Sequence, residues 1–178
     1  MSMLIDDGSR PTLRDRIGSL LSACATADIA VGHIRLAAID LTERETRRVG
    51  RCRILLGRLE VRALTDFGTP ETDIDERMQT LLAFLESGRV QIRSAGLGAW
   101  SPDFSVYRGL PDGSACLLGP HYFREAPSTY GPSFTALLSD ARSIRMVGAR
   151  FDELWERSHD VLEPVVSAVY RRQSFSAA

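Results

Sequence analysis

The chain contains no lysine and no asparagine; all 22 of its basic residues are arginine. A chain without lysine has no side-chain amine for Schiff-base catalysis and no lysine to reach the phosphates of a P-loop. The arginine bias has a compositional origin as its simplest account, as from a GC-rich genome. Histidine is scarce, with His33, His121 and His159 on separate predicted elements and no HExxH-like spacing, so neither a metal site nor a cofactor is expected. The three cysteines, Cys24, Cys52 and Cys116, are odd in number, lack a CxxC spacing and each sit in an apolar run. That pattern points to buried free thiols in a reducing cytoplasm rather than a disulfide framework. No apolar run approaches a membrane span, and the first residues lack the basic and apolar regions of a signal peptide. The expectation is a soluble cytoplasmic protein with no membrane partner. A net charge of −1 gives no basic excess for binding driven mainly by nucleic-acid phosphates, although a local arginine patch stays open. Gly-x-Ser-x-Gly is absent, and Gly96-Leu-Gly98 lacks the third glycine and following helix of a dinucleotide site.

What is present fits one globular domain. At 178 residues, 44% hydrophobic and 25% charged, the chain is long enough to bury a core. Leu13, Ile17, Leu20, Leu21 and Cys24 form one helical stripe, predicting a capped amphipathic helix over 12–24. A strand is predicted over 27–34, a charged helix over 38–49 ended by Gly50, and a strand buried on both faces over 52–56. Thr69-Pro70-Glu71 reads as a helix start, followed by Ile74, Met78, Leu81, Leu82 and Leu85 at helical spacing and a stop at Gly88. Strands are predicted over 90–93, 103–108, 114–118 and 134–138, the middle two joined by the turn-rich Gly109 to Gly113. A helix over 140–157 buries Ile144, Val147, Phe151, Leu154 and Trp155, and a last helix begins near Val161, interrupted or restarted at Pro164. Strands alternating with helices imply an α/β fold with a mixed, largely parallel central sheet and helices on both faces.

Several short segments carry a family resemblance: Leu4 to Asp7, Thr12 to Arg16, Ala27 to Gly32, Arg53 to Gly57, the hairpin, and the closing Phe151 to Trp155. Together they resemble a single phospholipase D-like domain, similar to the modules attached to helicases and to restriction or repair proteins. The resemblance spans residues 4–160 and implies a domain over 1–160, with 161–178 as a C-terminal helical tail of the same domain. It implies a site built from His-x-Lys on a strand and Gly-Ser-x-x-Asn after the next strand. There the histidine attacks phosphorus while lysine and asparagine hold the phosphate oxygens.

This chain departs from that pattern. The equivalent strand reads Trp100-Ser-Pro-Asp103-Phe-Ser105-Val-Tyr107. In the preferred register Asp103 takes the histidine place and Ser105 the lysine place; in the other these are Ser101 and Asp103. The second motif reads Gly119-Pro-His121-Tyr-Phe123 and keeps only its glycine. An anionic Asp103 would repel a phosphate, so the expectation is a degenerate, catalytically inactive domain acting as an assembly or binding module, possibly in a nucleic-acid-processing system. In this family two domains pack about a two-fold axis to build one site, which implies a homodimer or pairing with another phospholipase D-like subunit.

The alternative is a phosphodiesterase- or nuclease-like hydrolase reusing the cleft with His121, Asp103 and possibly His33. His121 lies where the family binds phosphate and has the chemistry of a nucleophile or general acid. An ordinary loop histidine before Tyr122 and Phe123 is the simpler account of it. His33 and Arg35 sit at a strand end, either as site residues or as a strand-end histidine with a solvated arginine. Arg44, Arg47, Arg48, Arg51 and Arg53 form one arginine cluster, and Arg142, Arg145 and Arg150 another. The first suits phosphate contact, and its Arg44, Arg47 and Arg48, with Arg35 and Ser105, are the candidate binding residues. Glu43 and Glu45 are interspersed, so charge pairing on a solvated helix explains it too.

Overall fold

A computed structural model describes residues 2–6, 11–32, 43–57, 71–96, 103–119 and 134–176. Its elements are β1 (Ser2–Asp6), α1 (Leu13–Ala23), β2 (Thr26–Val31), α2 (Glu43–Arg47), β3 (Arg51–Leu56), α3 (Glu71–Glu86) and β4 (Val90–Ser94). They continue with β5 (Phe104–Leu110), β6 (Gly113–Leu118), β7 (Phe134–Leu138), α4 (Ala141–Glu156), β8 (His159–Asp160) and α5 (Leu162–Ser176). All eight strands form one sheet in the order β1-β7-β6-β5-β2-β3-β4-β8.

The mixed α/β sheet with helices on both faces is as the sequence implies. Its parallel part is narrower than the expected largely parallel sheet, being confined to β2, β3 and β4. The five other pairings are antiparallel. Alternation of helix and strand sets the direction of β2 to β4, because each crossover returns the chain to the same end. It does not place the hairpin partners β5, β6 and β7, and it gives no sign of β1 or the two-residue β8.

Strand alternation divides the interior. Ala27, Ile29 and Val31 of β2, Cys52, Ile54 and Leu56 of β3, Val90 and Ile92 of β4 and Tyr107 of β5 face the larger core. Ile17 and Leu21 of α1, Leu81, Leu82, Phe84 and Leu85 of α3, and Val165, Ala168 and Val169 of α5 cover that face. Each fully buried aliphatic side chain contributes about 1.5–3 kcal/mol relative to exposure. The opposite face carries Ala30, Leu55 and Phe104 under Phe151, Leu154 and Trp155 of α4. Ile144 and Val147, expected to be buried, are half-buried on the flank of that helix.

The helix ends follow the sequence signals. Thr12 caps α1 through a reciprocal capping box with Asp15, and Asp140 caps α4 by accepting from the Ser143 N–H at 2.8 Å. Pro164 lies in the first turn of α5, where its missing N–H costs nothing, so that helix is continuous rather than restarted. Of the charged helix expected over 38–49, residues 43–47 are helical and 38–42 lie outside the described residues. Among the described residues no helix is long and apolar enough to cross a membrane.

Candidate functional site

The parallel strands β2, β3 and β4 end at one edge of the sheet, at Gly32, Gly57 and Gly96. Antiparallel β5 begins at the same edge, and β6 ends there at Gly119. Asp103 therefore stands between the ends of β2 and β6. Its Oδ1 accepts from the Gly32 backbone N–H at 2.8 Å, and its carbonyl accepts from the Gly119 N–H at 2.8 Å. The carboxylate is used as a clamp on the backbone of the neighbouring strand.

Ser105 lies two residues on, on the same side of β5 as Tyr107. Both are fully buried, and the Ser105 hydroxyl donates to the Tyr107 hydroxyl at 3.2 Å. Burial pushes the Tyr107 phenol well above its ordinary range, with the Ser105 bond opposing in part. The position that the resemblance gives to a phosphate-holding lysine is thus a neutral hydroxyl inside the larger core. Of the remaining candidates, His33, Arg35 and His121 lie outside the described residues.

The first arginine cluster does not form one surface. Arg44 lies in α2, with its side chain outside those described, and Arg47, Arg48 and Arg51 are exposed. Behind them Arg89 Nη1 donates to the carbonyls of Thr46, Arg47 and Val49 at 2.9, 3.3 and 3.2 Å, closing the C-terminal end of α2. Arg53, on the same side of β3 as Arg51, is half-buried under α4.

There it belongs to a buried ionic network that the sequence reading missed. Asp28, 0% exposed, accepts from Arg53 Nε at 2.7 Å and Nη2 at 2.9 Å, and from Arg108 Nη1. Arg53 Nη2 also donates to Asp152 of α4 at 2.8 Å. The Arg53 guanidinium lies 4.8 Å from the Phe151 ring centroid and 5.3 Å from that of Trp155, so aromatic faces and two carboxylates share one cation. Arg93 lies 4.8 Å from the Trp155 ring and donates to its carbonyl. Gly148 brings α4 close above Arg108, since a Cβ there would stand 2.7 Å from Arg108 Nη2. Burial alone would raise the Asp28 pKa; the bonds from Arg53 and Arg108 outweigh it and leave the carboxyl below its ordinary value. Asp28 and Arg53 are direct partners in the β2–β3 register. A lone acid in one apolar strand and an arginine between Cys52 and Ile54 in the next was the available signal.

No protein-family model matches the chain, and no curated protein matches it in sequence. Solved structures do match in fold. Nuc from Salmonella typhimurium, a phospholipase D family member, superimposes with a TM-score of 0.60 at 11% identity, covering 90% of this chain and 97% of that one. NucT from Helicobacter pylori gives 0.56 at 12% identity, with 90% and 99% covered. TrmBL2, an archaeal chromatin protein with a novel mode of DNA binding, gives 0.54 at 12% identity over 90% of this chain. The chain spans about half, 53%, of TrmBL2. The chain has the phospholipase D-like fold.

Proposed function

We propose that this is a phospholipase D-like domain without phosphoryl-transfer chemistry, serving as an assembly or binding module in a cytoplasmic nucleic-acid-processing system. The observation that carries it is the state of the strand that would hold the nucleophile. Asp103 clamps the Gly32 N–H, Ser105 is sealed in the core against Tyr107, and the chain has no lysine or asparagine to take a phosphate oxygen. A carboxylate at the entrance to that edge repels an anionic ester. The nucleic-acid context draws on the DNA binding named for TrmBL2 and on exposed Arg47, Arg48 and Arg51. The assembly partner is a second copy or another phospholipase D-like subunit.

A chromogenic phosphodiester reporter tests the chemistry. The wild-type chain is expected to leave it at background; hydrolysis that disappears in Asp103→Ala would overturn the reading. Sedimentation at micromolar concentration is expected to show an assembly larger than one chain, and a strict monomer would remove the homodimer. Labelled duplex is expected to bind at low salt, to weaken steeply as salt rises, and to lose affinity in R47E/R48E. Absence of low-salt binding, or binding indifferent to salt, would remove the nucleic-acid part.

A further inference from the structure

The outward face of α4 carries an ordered charge pattern that its own chain satisfies only in part. Every cation within the helix, Arg142, Arg145 and Arg150, precedes every anion, Asp152, Glu153 and Glu156. The first turn has no acid and the last turn no base, so this order opposes the helix macrodipole and is unfavourable within one chain. Among the described residues Arg142, Arg145 and Glu156 enter no ion pair, whereas Arg150 and Arg157 both reach Glu153. Arg142, Ala149 and Glu156 are spaced by seven residues along the exposed side, with Arg145 and Met146 in the first interval and Glu153 in the second. Met146 is 64% exposed, the most exposed large hydrophobic side chain among the described residues. Ala149, at the middle of the stripe, is small enough for another helix to approach closely.

A sequence that runs basic to acidic along one helix face is complementary to itself read in reverse. We propose that α4 pairs antiparallel with α4 of a second copy of this chain about a two-fold axis at Ala149. Arg142 then faces Glu156 of the second copy and Arg145 faces its Glu153, each pair occurring twice, with Met146 covered between them. The seven-residue spacing holds this stripe on one seam of a helix pair, and a self-complementary patch is what a two-fold interface requires. The proposal rests on the assembly reading above and gives that reading a partner and a surface.

Charge exchange tests it. R142E/R145E and E153R/E156R each place like charges across all four contacts, and each is expected to weaken self-association at least about tenfold in sedimentation velocity. Mixing the two variants restores opposite charges at every contact, so a one-to-one heterodimer is expected, resolved by native mass spectrometry. R142E/R145E also relieves the conflict with the macrodipole, so its melting temperature is expected to stay level or rise while dimerisation is lost. Wild-type dimers that persist unchanged in both variants would overturn this surface and leave the assembly reading standing. Folded variants that fail to pair on mixing would overturn it too, and a strictly monomeric wild type would overturn it together with the homodimer, leaving only the pairing with another phospholipase D-like subunit.

Discussion

Asp28→Asn exchanges one atom and removes the charge on which the α4 face is organised. The carboxylate is wholly buried and takes two hydrogen bonds from Arg53 and one from Arg108. With asparagine, one oxygen becomes an N–H donor directed at a guanidinium. Arg108 is 34% exposed and can turn toward water, but Arg53 is 14% exposed and cannot. Removing one partner of a buried pair costs about 3–5 kcal/mol because the other charge is left uncompensated. Arg53 keeps Asp152 and the faces of Phe151 and Trp155, which places the expected loss near the lower end, about 3 kcal/mol. For a domain of this length that is a fall of roughly 6–12 °C in Tm. Urea unfolding followed by far-UV circular dichroism is expected to show a lower midpoint at an unchanged slope. The pH dependence carries a sign as well. The folded-state pKa of Asp28 lies below its unfolded value, so its stabilisation is complete above the unfolded value, near 3.9, and is lost as pH falls through the folded one. The gap between wild type and D28N is therefore expected to be constant from about pH 8 to 5 and to close below about pH 4. Equal stability at pH 7, or a gap that widens in acid, would refute the reasoning. Asp28→Leu with Arg53→Met is expected to recover most of the loss, since both buried charges then go together.

Gly18 lies where α1 meets α2, and a Cβ there would stand 2.1 Å from Glu45 Oε1. Gly18→Ala is expected to displace that carboxylate from Arg14, which it holds at 2.7 and 3.1 Å, and to cost about 1–2 kcal/mol in urea unfolding. Because G18A and R14A break the same pair, additive losses in a double-mutant cycle would refute that account. Arg89→Ala strips three carbonyls at the end of α2 of their donor; a loss of about 1.5–3 kcal/mol and faster amide exchange in residues 43–47 are expected, and unchanged exchange there would count against it. Burial pushes the Cys24 and Cys116 thiols up to about 11 and Cys52 further still. No thiol is then expected to react with an aromatic disulfide at pH 8 until urea is added, when all three should. The stabilisation from keeping these thiols neutral is present below their unfolded pKa and falls away as pH rises toward the folded values, so stability should drop above about pH 8.5. A thiol that reacts rapidly in the native chain would contradict this.

How far these features were legible in the sequence depends on whether the signal is local. The cap at Thr12, the stripe from Leu13 to Leu21 and the turn between Gly109 and Gly113 depend on residues a few positions apart, and each lies where the pattern puts it. β1 pairs in the sheet with β7, more than a hundred residues away, and β8 is two residues at the edge of β4, so neither has a local signal strong enough to read. The same limit governs the charges. Arg53 looks like one more exposed member of the Arg47, Arg48 and Arg51 group in sequence, yet on the face of β3 opposite Cys52 it is covered by α4, where Asp28 waits in the adjacent strand. Nothing local assigns Arg53 to Asp28; the pairing of β2 with β3 does, and it also explains why the residue has to be arginine. One guanidinium binds Asp28 through two nitrogens, reaches Asp152 and lies against two aromatic rings. An ammonium is a compact point charge without that planar fork, so lysine would give up the bidentate geometry and the stacking together. The chain-wide absence of lysine is therefore a matter of composition at most positions and a physical requirement at this one.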